Sequence, residues 1–173
     1  MLSKELEAAL NAQVNAEMYS AYLYLSMAAY LADQDLPGMA TWMKAQAQEE
    51  MVHAMKIYGY IGEALGRVTL AAIDGPPTEW DSPLAAFQDA FKHEQKVTGL
   101  INGLVTLARK EGDHATEIFL QWFVTEQVEE EANADANVKI LQRVGGHPQG
   151  LLMADREMAA RPLLFALPTG GGE

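Results

Sequence analysis

Four stretches of the chain repeat apolar residues at alternating spacings of three and four, the mark of a helix with one buried stripe. The first stripe reads Leu10, Val14, Glu17, Ala21, Tyr24, Ala28, Leu31, and the second Met39, Met43, Gln46, Glu50, His53, Ile57, Tyr60. The third reads Phe87, Phe91, Glu94, Thr98, Ile101, Val105, and the fourth Leu120, Phe123, Gln127, Glu130, Ala134, Asn137, Leu141. Strand signals are weak. β-Branched residues are scattered, and the long stretches are rich in Ala, Leu, Met, Glu, Gln and Lys, which favour helix.

Turn chemistry sets the boundaries. Ser3 predicts an N-cap for a first helix reaching about Gln34, with Asp35-Leu36-Pro37-Gly38 as its turn. A second helix runs from about Met39 to Leu65 and stops at Gly66. Residues 66–81, which include Asp74-Gly75-Pro76-Pro77, form a long connection. The third helix opens on Ser82 as N-cap with Pro83 in its first turn, and ends near Glu111-Gly112. The fourth starts at Asp113 and ends before Gly145-Gly146; a short fifth, about Pro148 to Ala160, precedes Pro162.

Each long helix spans roughly 40–48 Å at ~1.5 Å per residue. Short turns make helices 1 and 2 antiparallel neighbours, and likewise 3 and 4. The 66–81 link is long enough to run the length of the molecule. The expected fold is therefore all-α: a four-helix bundle of two hairpins joined by one long crossover, with a short C-terminal fifth helix. Residues 1–165 read as one domain. Residues 166–173, which include Pro168-Thr169-Gly170-Gly171-Gly172-Glu173, read as a flexible tail.

The polar interruptions in the stripes carry the chemistry. Glu17, Glu50, Glu94 and Glu130 each fall near the middle of their own helix. In an antiparallel bundle, helix midpoints share one height, so these acids and His53 converge on one inner layer. Four carboxylates in an apolar core repel one another and lose hydration. Bound cations relieve both penalties, and oxygen ligands with one imidazole suit iron, manganese or zinc. Glu50 and His53 lie one turn apart on one face, so both can grip one metal. Glu126, Glu129 and Glu130 offer a second such face on helix 4. His93, His114 and His147 lack this support and read as surface or loop residues. The nine methionines read mostly as core fillers.

Composition narrows the classes further. The chain has 173 residues, enough for one domain with a real core. Hydrophobic residues make up 49%, yet no apolar run approaches the ~18 residues of a membrane span. There is no cysteine, which excludes disulfides, thiolate zinc, Fe–S clusters and thiol nucleophiles. Met1-Leu2-Ser3-Lys4-Glu5 lacks the form of a signal peptide, so a cytoplasmic location is expected. The net charge of −12 argues against nucleic-acid binding. It fits either cation gathering or simple solubility.

At these residues the sequence resembles the prokaryotic non-haem ferritins, over about residues 2–160. The blocks that carry the resemblance are Asn15-Ala16-Glu17-Met18-Tyr19-Ser20-Ala21-Tyr22-Leu23-Tyr24, Gln48-Glu49-Glu50-Met51-Val52-His53, Lys92-His93-Glu94-Gln95, and the run from Phe119 to Glu131. The resemblance implies the ferritin-like bundle and a ferroxidase that oxidises Fe(II) with dioxygen or peroxide. It implies that Glu17, Glu50 and His53 hold a first iron and that Glu50, Glu94 and Glu130 hold a second. Gln127 would hydrogen-bond to bound water or oxygen species nearby. Glu49, Glu126, Glu129 and Glu130 resemble a third iron site. Glu49 and Glu50 are consecutive and point about 100° apart, so they serve separate positions. Tyr24 resembles a tyrosine beside the di-iron pair, either an electron donor or a core tyrosine with one hydrogen bond. Trp122 is either redox-active or packed.

The resemblance also implies self-assembly into a hollow cage of the 24-subunit type that stores the ferric product. Leu2, Leu36, Leu70, Trp80 and Leu163 to Phe165 are apolar positions for interfaces or for covering the bundle. Met51 stands where a bacterioferritin places its haem ligand, but similar non-haem ferritins carry methionine there too, and no haem is expected. A di-iron oxidase without a cage, a metal-free helical module and a DNA-protecting mini-ferritin are the rival readings. Native mass and metal-linked stability separate the first two from a cage. The third is disfavoured because all the ligands lie within one bundle.

Overall fold

The structure, a computed structural model, describes residues 2–165 and forms five helices in the expected order. They are α1 (Lys4–Asp33), α2 (Pro37–Glu63), α3 (Pro83–Glu111), α4 (His114–Val144) and α5 (Pro148–Met158). The tail predicted for 166–173 lies outside the described residues. The Ser3 hydroxyl accepts from the Leu6 amide and Ser82 from Ala85, so the two predicted N-caps form, and the Asp113 carboxylate caps α4 by accepting from Thr116.

The two boundaries of α2 differ from expectation. It starts at Pro37, although Leu36 before it has no side chain to cap it. The cap comes from elsewhere: Asp155 on α5 accepts from the Met39 amide at 2.8 Å. At the far end, the left-handed residue is Leu65 (φ 60°), not Gly66. Gly66 instead donates to the Ile61 carbonyl at 2.8 Å, closing the helix. A Cβ on Gly66 would meet Ile61 and Leu2 at 3.0 Å, which explains the glycine.

The crossover runs along α1. Glu7 accepts from the Arg67 amide, Asn11 bonds Arg67 and Thr69, Asn15 donates to Ala72, and Ser26 donates to Pro77. Trp80 then packs on Tyr30, 5.3 Å between ring centres. This polar edge of α1 replaces the water that an extended backbone needs, and it sets α3 parallel to α2. Leu2, Leu36 and Trp80 pack partly against the core, whereas Leu70, Leu163, Leu164 and Phe165 are exposed.

The apolar core is in two parts. One gathers Tyr24, Met27, Leu31, Met39, Met43, Phe87 and Leu141. The other gathers Leu6, Leu10, Val14, Ile57, Ile61, Ile101, Leu120 and Phe123. Between them along the helices lie buried polar side chains.

Candidate metal centre

Each long helix contributes one carboxylate to that layer: Glu17 from α1, Glu50 from α2, Glu94 from α3 and Glu130 from α4, all at 3% exposure or less. His53 is buried beside them at 4%. Apolar residues on both sides of each acid along the stripe bury that helix face, and the acid is carried in with it.

Ligand atoms of Glu17, Glu50 and His53 lie within 4.8 Å of one another, as do those of His53, Glu126 and Glu130. Nδ1 of His53 is 3.5 Å from Glu50. That contact is not an ion pair, because burial, helped by the Lys56 charge, holds the imidazole neutral with its pKa lowered to about 4. The ring stands edge-on to Trp122 and Phe123, at 5.4 and 6.0 Å. Lys56 sits 4.3 Å over the other side chain of that pair, Trp122.

Burial raises every acid in the layer. Desolvation pushes Glu17 up to about 7, against a hydrogen bond from Gln13 at 2.8 Å. Glu130 is pushed up to about 8 by desolvation and then by the Glu94 charge, although Gln46 donates to it. Glu50 is raised well above the carboxylate range by desolvation, then by Glu94, Glu17 and Glu130. Glu94 is raised by desolvation and partly held down by bonds from Tyr24 and Gln127, the latter at 3.2 Å. Both oxygens of Glu50, Oε2 of Glu17 and Oε1 of Gln46 are buried with no hydrogen-bond partner among the described residues. Buried acceptors of this kind cost about 1–3 kcal/mol each unless something binds them. A divalent cation satisfies the carboxylate oxygens of Glu17 and Glu50, so the donor set fits a metal.

Glu126 and Glu129 flank this layer on α4, and desolvation with the charges of Glu129 and Glu49 raises Glu126. Glu49 turns away from the Glu17 group, as its place next to Glu50 requires, and pairs with Arg161 at 2.5 Å. Tyr24 is buried and bonds Glu94. Trp122 is partly exposed at 38%.

The sequence reading of His93 as a surface residue is corrected. It is half-buried between α1 and α3, its Nε2 lies 2.7 Å from the Ser20 hydroxyl, and its ring stands edge-on to Tyr24 at 6.2 Å. Desolvation, then Lys96, lowers its pKa to about 4. Its position immediately before Glu94 turns it about 100° off the buried stripe, which hid it from a periodicity argument. His114 and His147 are exposed as expected. Gln13 and Gln46 were missed as partners of Glu17 and Glu130, although Gln13 stands four residues before Glu17, the spacing of facing side chains.

Known proteins bear on this arrangement. A profile of the Ferritin-like domain matches residues 7–144. A bacterial non-heme ferritin of Staphylococcus saprophyticus is 43% identical over 161 residues, covering 93% of this chain and 96% of that protein. One from Bacteroides fragilis is 43% identical over 161 residues and is covered in full. The crystal structure of an open pore ferritin from Archaeoglobus fulgidus superposes with a TM-score of 0.93 at 50% identity, over 94% of this chain and all of that one. With a matched profile across α1 to α4, relatives aligned almost end to end and a shared fold, the chain belongs to the ferritin family.

Proposed function

We infer that this protein oxidises Fe(II) and stores the Fe(III) product inside a hollow cage of its own copies. The observation that carries the reading is the layer of four buried carboxylates, one per helix, with one neutral imidazole and unpartnered oxygens. Relatives named non-heme ferritin support iron as the metal. Two irons per subunit are assigned. Glu17, Glu50 and His53 take the first, and Glu50, Glu94 and Glu130 the second, with Glu50 between them. Glu49, Glu126, Glu129 and Glu130 form a third position. Haem has no part in this reading.

Chemically, two Fe(II) ions each give one electron. Dioxygen accepts the pair with two protons to give hydrogen peroxide; alternatively, hydrogen peroxide accepts the pair with two protons to give two waters. Paired sites avoid release of a one-electron oxygen radical. Carboxylates favour Fe(III) because hard oxygen anions bind the higher charge more strongly. Gln127 and Tyr24 orient Glu94 from opposite sides, and Gln127 is placed to hydrogen-bond to oxygen species. Tyr24, buried beside Glu94, is the candidate electron donor in this reading.

Cage assembly is supported by the likeness to the open pore ferritin and by exposed apolar side chains that include Tyr22 and Leu25 on α1, Met55 and Tyr58 on α2, Ile118 and Val128 on α4, and Leu152 and Met153 on α5. No helix among the described residues is long and apolar enough to cross a membrane. The cytoplasm, where Fe(II) is generated by reduction, suits this chemistry.

The test is anaerobic Fe(II) loading followed by oxygen, with stopped-flow absorbance and native mass on one sample. A fast phase saturating near two irons per subunit, on a particle of hundreds of kilodaltons, is expected. Glu94→Ala should slow the fast phase about 10–100-fold while leaving the mass unchanged. Slow, unsaturated oxidation on a small particle, or a fast Glu94→Ala variant, overturns the reading.

A further inference from the structure

Three residues beyond the end of α5, Arg161 turns back onto α2. Its Nη2 meets Glu49 at 2.5 Å, and its guanidinium carbon lies 4.4 Å over the Trp42 ring. One residue before Glu49, Gln48 bonds the Phe165 backbone twice, donating to its carbonyl at 2.8 Å and accepting from its amide at 3.2 Å. Two consecutive side chains of α2 therefore strap residues 161–165 to the bundle. Only 16% of the Arg161 side chain is exposed, and its Nη1 is buried with no hydrogen-bond partner among the described residues.

Glu49 is also one of the acids assigned above to a third cation position. A guanidinium hydrogen-bonded to a carboxylate and a metal ion coordinated by it repel each other, since both are positive and both draw on the one carboxylate. We propose that Arg161 is a built-in cation at the Glu49 end of that acidic group, displaced when a metal ion binds there, so that filling this position frees residues 161–165 from α2.

Three features suit such an exchange. The guanidinium carries one fixed positive charge at any working pH. A divalent ion brings twice that charge to acids that crowd one another, since the Glu49 charge raises both Glu126 and Glu130. In the docked state Nη1 has no hydrogen-bond partner among the described residues, and release lets water reach it. A half-satisfied buried cation is easier to dislodge than one with its full set of partners. A metal ion that binds only the released state shifts the balance towards it.

The inference rests on the assignment of the two inner irons and the outer acidic position, and its test separates the two. Zn(II), which does not change oxidation state, is titrated into the metal-free assembled protein. Calorimetry counts sites while hydrogen–deuterium exchange follows the peptide covering 161–165. The first two equivalents should leave that peptide protected, and a further, weaker equivalent should deprotect it. In Arg161→Gln the weaker equivalent should bind about tenfold more tightly, as expected when a competing cation is removed. Its 161–165 peptide should exchange fast before any metal is added. Glu49→Gln should lose the weaker equivalent and keep the first two. Unchanged affinity in Arg161→Gln, or continued protection of 161–165 in the fully loaded wild type, overturns the proposal about Arg161 alone. Failure to bind the first two equivalents overturns the functional reading itself.

Discussion

The phenol of Tyr24 on α1 donates a hydrogen bond to the Glu94 carboxylate on α3, and both side chains are at 1% exposure. The bond ties the two hairpins together at the height of the acidic layer. It also lowers the proton affinity of Glu94, which burial otherwise raises. Tyr24→Phe keeps the ring and its edge-on packing on His93 but removes the donor. The metal-free variant should lose ~1–2 kcal/mol of stability, typical of a buried hydrogen bond, read as a lower melting temperature. Zn(II) stoichiometry should stay at the wild-type value, because no ligand is removed. A Tyr24→Phe protein that melts with the wild type would show that this bond contributes nothing net.

Stability of the metal-free protein should fall as pH rises from about 6.5 to 8. The sign follows from the acids. Glu17 at about 7 and Glu130 at about 8 are raised by desolvation above the unfolded value of 4.5. Their contribution is complete below 4.5 and is lost as pH climbs through 7 and 8, since the unfolded chain releases those protons earlier. His53 and His93, lowered to about 4, act in another window: their contribution is present above 6.5 and is lost as pH falls towards 4. Above pH 6.5 only the acids act, at up to ~1.4 kcal/mol per pH unit for each group. A melting temperature that is flat or rising between pH 6.5 and 8 would contradict this. With Zn(II) the slope should reverse, because metal binding requires the deprotonated acids and expels their protons.

The sequence revealed most of what is periodic or local. Glycines 112 and 145, Pro83, and the caps Ser3, Ser82 and Asp113 act within a few residues of themselves, so the helix ends they mark were readable. The acids of the layer were readable because each interrupts an apolar stripe at the same height. Contacts between distant segments were not. Asp155 caps a helix that begins 118 residues earlier at Pro37, and Arg161 meets an acid 112 residues away. Neither leaves a mark in the local pattern. His93 escaped for a related reason: it faces the α1 side of its helix rather than the stripe centre.

Glu50 carries the clearest conflict between stability and binding. Both its oxygens are buried without hydrogen-bond partners, and three other acids raise its proton affinity. Glu50→Gln removes a group that can charge and keeps the shape. The metal-free variant should melt higher than the wild type at pH 8, by about 2–4 °C for each kcal/mol relieved. The rise in melting temperature that Zn(II) gives the wild type should shrink sharply, because a carboxylate of the Glu17–Glu50–His53 group is gone. A Glu50→Gln protein that melts lower than the wild type without metal would mean that the carboxyl is better accommodated than its unpartnered oxygens indicate.

Gly38 sits where α5 crosses the first turn of α2. A Cβ built there would lie 1.8 Å from the Asp155 carbonyl oxygen, a backbone atom that cannot swing aside. Gly38→Ala must therefore push α5 outward, costing ~1–3 kcal/mol as other overpacked contacts do. The displacement also breaks the bond from the Met39 amide to the Asp155 carboxylate, which caps α2 where Leu36 has no capping side chain. Asp155→Ala removes the same cap without the clash and should cost about 1 kcal/mol. The two losses overlap, so the double variant should be no less stable than Gly38→Ala by itself. Thermal melting of the four proteins measures that cycle. Strict additivity would mean that α5 stays docked despite the added methyl and that the clash is absorbed by α2 instead. Hydrogen exchange across 148–165 distinguishes these outcomes directly, since an undocked α5 must exchange faster in Gly38→Ala than in the wild type.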